Sequence, residues 1–229
     1  KQLWYALKYA SNELKNNRDF ILEVLRINGA ALEFANESFR SEIDFVKVAV
    51  MSNSNALYCV SDDLKNDREV VKTLVKISGY ALGYVHADFR NDREVVMAAV
   101  EKNGCALEYA SEALRADTEV VMAAVSNNSH AFMYASDQLK SDRAFIMAAV
   151  QNNGMTLDFL KDEFIKEPEI FKLAVSQDPR AAKFIDSNLV KDEGFLRDLF
   201  KIDVNVATYL PIENKTKYTL LNKVSNIHQ

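Results

Sequence analysis

Cysteine is scarce in this 229-residue chain: Cys59 and Cys105 are the only two, with no C-x-x-C pair and no disulfide-like spacing. That gives no sign of a disulfide framework and points to a reducing, cytoplasmic compartment. No apolar run approaches the roughly 18 residues a membrane helix needs, so no membrane span is expected. Positive charge is not in excess either. With 28 Lys and Arg against 33 Asp and Glu, the net charge is −5, which disfavours nucleic acid or an anionic membrane as the main partner unless the basic residues segregate onto one face. The motifs G-x-x-x-x-G-K-[ST], G-x-G-x-x-G and H-E-x-x-H are absent. The expectation is therefore a non-enzyme without cofactor or metal. What is present is 48% hydrophobic and 27% charged residues, enough for a substantial core and too apolar for disorder.

The apolar residues recur with a strict period. Glu94 to Val100 reads Glu-Val-Val-Met-Ala-Ala-Val, and the same seven letters return 25 residues later as Glu119 to Val125. The valine position reads Leu25, Val50, Val75, Val100, Val125, Val150 and Val175, and the leucine position Leu32, Leu57, Leu82, Leu107, Phe132, Leu157 and Ala182. A period of this kind marks a stacked array whose units cannot bury their apolar faces alone. The expected fold is all-α, an α-solenoid of about 25-residue two-helix repeats with a C-terminal capping helix. The domain boundaries read as a partial repeat over 1–17, seven repeats over 18–192, and a degenerate repeat with a cap over 193–229. Because Lys1 falls inside a repeat, the chain is expected to be part of a longer protein.

Within a unit, Asp92 suits a helix N-cap and Glu94 the positive end of the helix dipole. Pro168 falls at a first helical position, where its missing N–H costs nothing. Val95, Val96, Ala99, Val100 and Asn103 share one face of a helix of about ten residues. Asn103-Gly104 is expected to end it, with glycine taking a left-handed conformation. A shorter second helix carries Ala106, Leu107, Tyr109 and Ala110, and Ser111 caps a tight turn into the next unit. Thr216 to Val224 reads as the closing helix.

The pattern D-x-E-V-V-x-x-A-V-x-x-N-G-x-A-L-x-Y-A-S, carried best by Asp92 to Ser111 and Asp117 to Ser136, resembles the repeats of domain of unknown function 4116. The resemblance runs from about Ala6 to Asp192, with Pro179 in place of the glycine and Ala182 in place of the leucine in its last unit. It implies a module found beside other domains in proteins of microbial eukaryotes and in effector-like proteins of intracellular bacteria. A bacterial effector of this type would work in the host cytoplasm. No functional residue transfers with it.

Four rows of side chains are candidates for function. An aromatic row, Tyr9, Phe34, Tyr84, Tyr109, Tyr134, Phe159, Phe184 and Tyr209, reads as the seam between units, with Cys59 as a small hydrophobe in the same row. A basic row, Lys15, Arg40, Lys65, Arg90, Arg115 and Lys140, lies two residues before an acidic row and reads as an alternating surface ladder. Met97, Met122 and Met147 repeat beside Ala98, Ala123 and Ala148 on the flank of the first helix, where flexible thioethers suit an adaptable partner surface. The position after the glycine varies most and includes Tyr80, Cys105, His130 and Met155. A Cys105–His130 pair has the side chains of a nucleophile and base but no orienting acid or third metal ligand. The expected partner is another protein, bound through the methionine flank or the variable position. The alternative is a recruiting module for an enzyme whose catalytic domain lies elsewhere.

Overall fold

The computed structural model describes residues 3–212, and the expected closing helix at 216–224 lies outside them. Among the described residues there is no strand, and eight ten-residue α-helices recur: Arg18–Ile27, Ile43–Ser52, Arg68–Ile77, Arg93–Lys102, Thr118–Asn127, Arg143–Asn152, Pro168–Gln177 and Glu193–Ile202. The fold is the all-α, solenoid-like repeat that the period predicts.

Each long helix begins where the sequence places it. The Asp92 carboxylate accepts from the Glu94 and Val95 amides, and Asp67 and Asp142 do the same in their own units. Pro168 occupies the first helical turn, as expected, and Glu167 caps there without a side-chain bond. One face of each helix is buried. Val95, Val96, Ala99 and Val100 have no exposed surface, and removing each such valine from water contributes roughly 1.5–3 kcal/mol.

The end of the helix differs from expectation in its cause. No glycine among the described residues has a positive φ. Asn103 is instead extended (φ −151°, ψ 111°), and its side chain turns forward to accept from the Cys105 amide. The asparagine thus stops one helix and starts the next. The glycine that follows serves close approach. A Cβ on Gly29, Gly79 or Gly154 would overlap the carbonyl oxygen of Ala49, Ala99 or Ala174 in the following long helix.

The second segment is also tighter than an α-helix. Gly29–Phe34, Ser54–Cys59, Gly79–Tyr84, Gly104–Tyr109, Ser129–Tyr134, Gly154–Phe159 and Pro179–Phe184 are 3₁₀ helices of six residues. Six residues suffice to bury the alanine and leucine positions, Ala106 and Leu107 being fully covered. A third short turn then closes the unit. Ser111 caps it through the Leu114 amide at 3.3 Å, as the sequence suggests.

The chain divides into two compact units, residues 1–127 and 128–229. In the first, each long helix lies against the next, from Arg18–Ile27 through to Thr118–Asn127, and the 3₁₀ segments stack beside them. In the second, Arg143–Asn152, Pro168–Gln177 and Glu193–Ile202 repeat that arrangement with their own 3₁₀ segments.

Candidate interaction surface

Charged side chains first clamp the units. Arg93, the first residue of its helix, donates from Nε to Asp117 at 3.1 Å and from its outer nitrogen to Glu119. These two acids are the cap and the acidic position of the following repeat. Arg68 makes the same pair of contacts with Asp92 and Glu94, and Arg143 with Glu167 and Glu169. Where the arginine is missing the pairing changes: Pro168 is followed by Gly194 in the acidic position, and Lys172 takes over by reaching Asp198 at 2.7 Å. The Arg68 contact holds the Asp92 carboxyl below its ordinary value, and Arg68 with Lys72 does so for Glu94.

The basic row singled out in the sequence does something else. Lys15 donates to the Lys8 carbonyl at 2.8 Å, Arg40 to that of Glu33 and Lys140 to that of Met133, so the row ties a unit's third segment to its 3₁₀ helix. Lys65 and Lys140 add pairs with Asp62 and Asp137 one turn back, at 3.0 and 2.9 Å. Neither pairs with the acidic residue two positions on, so the ladder lies between units, built from a different set of arginines.

On the 3₁₀ segments of the first unit the aromatic and variable positions meet. Tyr84 is half-buried, donates from its hydroxyl to Asn55 at 2.7 Å, and stands edge-to-face with Tyr58 at 4.8 Å. Tyr80 meets the Tyr109 ring in the same manner at 6.5 Å. Gly83 lies beneath Tyr109, where a Cβ would come within 3.0 Å of the ring. Burial, with Tyr58 and Tyr109 close by, raises the Tyr84 phenol above its ordinary value. From Phe34 to Phe184 the aromatic row is half-buried, as a seam requires, but at its ends Tyr9 and Tyr209 are exposed, and beside the row Tyr58 is 77% exposed and Tyr80 41%. Tyr58 escapes a reading by slots because its position holds Glu33, Gly83, Glu108 and Met133 elsewhere. Beside it, Asn55, Arg40, Glu33 and Cys59 line a cleft of about 540 Å³.

The other predicted residues fall on two surfaces. Met97 and Met122 in the first unit and Met147 in the second are all half-buried. Met97 lines an open groove with Lys72, Lys76 and Glu101, and Met147 Sδ lies 3.2 Å from an Arg143 guanidinium nitrogen. In the second unit His130 is exposed, with its ring edge-on to Phe159 at 4.9 Å, and Met155 is half-buried. Cys105, in the first unit, is half-buried, and burial pushes its thiol up, as it does for Cys59. A raised thiol is a poor nucleophile at neutral pH. Among the described residues no cluster of His, Cys, Asp or Glu could hold a metal ion, and no helix is long and apolar enough to cross a membrane.

No match was found among curated proteins or among solved structures. The family described as Domain of unknown function (DUF4116) matches five times, over residues 1–40, 17–65, 42–87, 67–115 and 117–165. Those overlapping matches follow the repeat through most of the chain, and the protein belongs to the DUF4116 family.

Proposed function

We propose that this chain is a protein-binding scaffold whose principal contact is the tyrosine ledge of its first unit. The observation that carries the reading is the exposure of Tyr58 and Tyr80, at 77% and 41%, each set against a half-buried ring of the following repeat. Tyrosine offers large contact area with few rotatable bonds, and a ring already held by its neighbour loses little freedom on binding. Asn55 and the adjoining cleft add polar groups that can register a peptide chain. Met97 and Met122 in this unit add a second adaptable surface and Cys105 a variable position, while Met147, His130 and Met155 occupy the matching positions within the other unit.

The mechanism is surface complementarity rather than bond chemistry. Two unpaired cysteines support a reducing, cytoplasmic workplace, and a module of a larger, effector-like protein is what the resemblance to the repeat family implies. The test is affinity capture with wild-type protein beside a Tyr58→Ser/Tyr80→Ser variant and a Met97→Asp/Met122→Asp/Met147→Asp variant, each shown to melt cooperatively. A partner retained by the methionine variant and lost by the tyrosine variant supports the ledge. Equal capture by all three proteins removes it.

A further inference from the structure

Four rings of the aromatic row rest on the repeat before them, each against its variable position. Phe34 stands edge-to-face with Tyr5 at 5.5 Å, the Tyr84 hydroxyl donates to Asn55, Tyr109 meets Tyr80, and Phe159 stands edge-to-face with His130 at 4.9 Å. Tyr5, Asn55, Tyr80 and His130 all hold that position in their own repeats. The residue three places on completes the seat. Tyr58 packs on Tyr84, Gly83 lies beneath Tyr109, and Met133 lines one cleft with Phe159.

Cys59 breaks this arrangement. The corresponding seat in the preceding repeat is Ala30 with Glu33, so neither side supplies a ring. The Cys59 thiol donates to the Ala56 carbonyl of its own segment at 3.1 Å. The result is the cleft of about 540 Å³, which Ala30, Glu33, Arg40, Ala56, Tyr58 and Cys59 line. Where Phe159 takes the same position, the cleft beside Met133 and Lys140 is about 280 Å³. Both repeats that form the larger cleft are complete, so its size comes from Cys59 and Ala30 themselves.

We propose that this cleft receives an aromatic side chain, tyrosine or phenylalanine, from the protein bound at the tyrosine ledge, and that this ring completes the row between Phe34 and Tyr84. The inference rests on the scaffold reading above and names what the partner contributes. The seat is of the kind that holds a ring at its four counterparts. Tyr58 forms one wall, 77% exposed and already edge-on to Tyr84, so an incoming ring packs on a surface that is held in place. Arg40 and Glu33 bring one charge of each sign, and Arg40 is tied to the Glu33 carbonyl. An anion or a cation would lose its water for no net gain there, whereas a neutral ring would not.

The test uses the intact chain carrying Cys105→Ala, which leaves Cys59 as its one thiol, and follows alkylation by iodoacetamide at a fixed alkaline pH. N-acetyl-tyrosinamide and N-acetyl-phenylalaninamide at tens of millimolar are expected to slow the reaction about threefold or more, the scale of a weak single-side-chain ligand, while N-acetyl-leucinamide leaves it unchanged. Cys59→Phe, which fills the cleft from within, is expected to keep or raise the melting temperature and to lose a partner that wild type captures. Equal protection by the leucine amide, or none from either ring, overturns the proposal. So does a Cys59→Phe protein that melts several degrees lower or captures the partner undiminished. Alkylation and melting need no partner, so they judge the cleft alone, whereas failure of the ledge shows in the Tyr58→Ser/Tyr80→Ser capture.

Discussion

Arg93 and Asp117 belong to different repeats, yet the Arg93 guanidinium donates to the very carboxylate that caps the next helix, at 3.1 Å. That carboxylate also accepts from the Glu119 and Val120 amides at 3.0 Å. One side chain therefore starts its own helix and holds the unit before it. Arg93→Ala, which leaves the cap intact, is expected to lower the melting temperature by only about 1–3 °C, because the pair is solvent-exposed. Asp117→Ala removes the cap as well and is expected to cost more. Thermal melts of the two single variants and the double variant check this, and equal losses from both would separate the clamp from the cap.

Acid should loosen these clamps. Asp92 and Glu94 are held below their ordinary values, in both cases first through Arg68. A carboxylate of lowered folded-state pKa contributes stability that is fully present above its unfolded value, near 4, and that is lost as pH falls through the folded value. The melting temperature of wild type is expected to fall below pH 4 more steeply than that of Arg68→Ala/Arg93→Ala. Parallel curves for the two proteins would refute the linkage.

Gly154 separates two explanations of the repeated glycine. Were a left-handed backbone required, Asn would be tolerated in its place. Because its Cβ would run into the Ala174 carbonyl, Gly154→Ala and Gly154→Asn are both expected to destabilise by about 1–3 kcal/mol or more. Chemical denaturation of both variants decides it, and near-normal stability of Gly154→Asn would restore the left-handed reading.

Leu107→Ala removes a fully buried side chain from a 3₁₀ segment and is expected to cost about 2–5 kcal/mol. Nearest-neighbour stabilisation concentrates the damage, so amide exchange should rise most in the repeats on either side of the cavity. Uniform acceleration across the unit would mean that it opens only as a whole.

Tyr58→Ala, by contrast, removes a ring that is 77% exposed. Stability is expected to stay within about 0.5 kcal/mol of wild type, while capture of a protein partner falls. A large stability loss would mark Tyr58 as part of the seam.

The helices were legible because their causes are local or periodic. Asp92 caps, Pro168 starts a turn, and Val95 with Val96 and Ala99 marks a buried face, all from spacing alone. The geometry of the second segment was less so: Ala106, Leu107 and Tyr109 suit an α-helix as well as the 3₁₀ helix they form, because six residues are too few for the period to choose. The role of the glycine depended on Ala174, twenty positions from Gly154, which no local rule reaches. The clamp left a signal that spacing could have yielded, since Arg68, Arg93 and Arg143 each precede acids 24 and 26 residues on. Tyr58 left none. A single exposed ring in a position that holds no other aromatic residue in any repeat is recognisable only once its neighbours are in place.

The clamp also bears on how such an array can be lengthened or shortened. Its two halves share the first turn of one helix: Arg93 reaches the acids ahead, and Asp92 and Glu94 receive the arginine behind. A duplicated or excised unit leaves no mismatch only when both ends find their complements, much as restriction fragments rejoin only through matching overhangs. Ile43 holds the arginine position one repeat before Asp67 and Glu69 and has no cation to offer, which marks a junction without the clamp. There Glu69 turns back to Arg68 of its own helix, at 3.6 Å. Trading units at that junction breaks no arginine–acid clamp, but it parts Asn55 and Tyr58 from Tyr84, so what must match there is the tyrosine seam rather than charge.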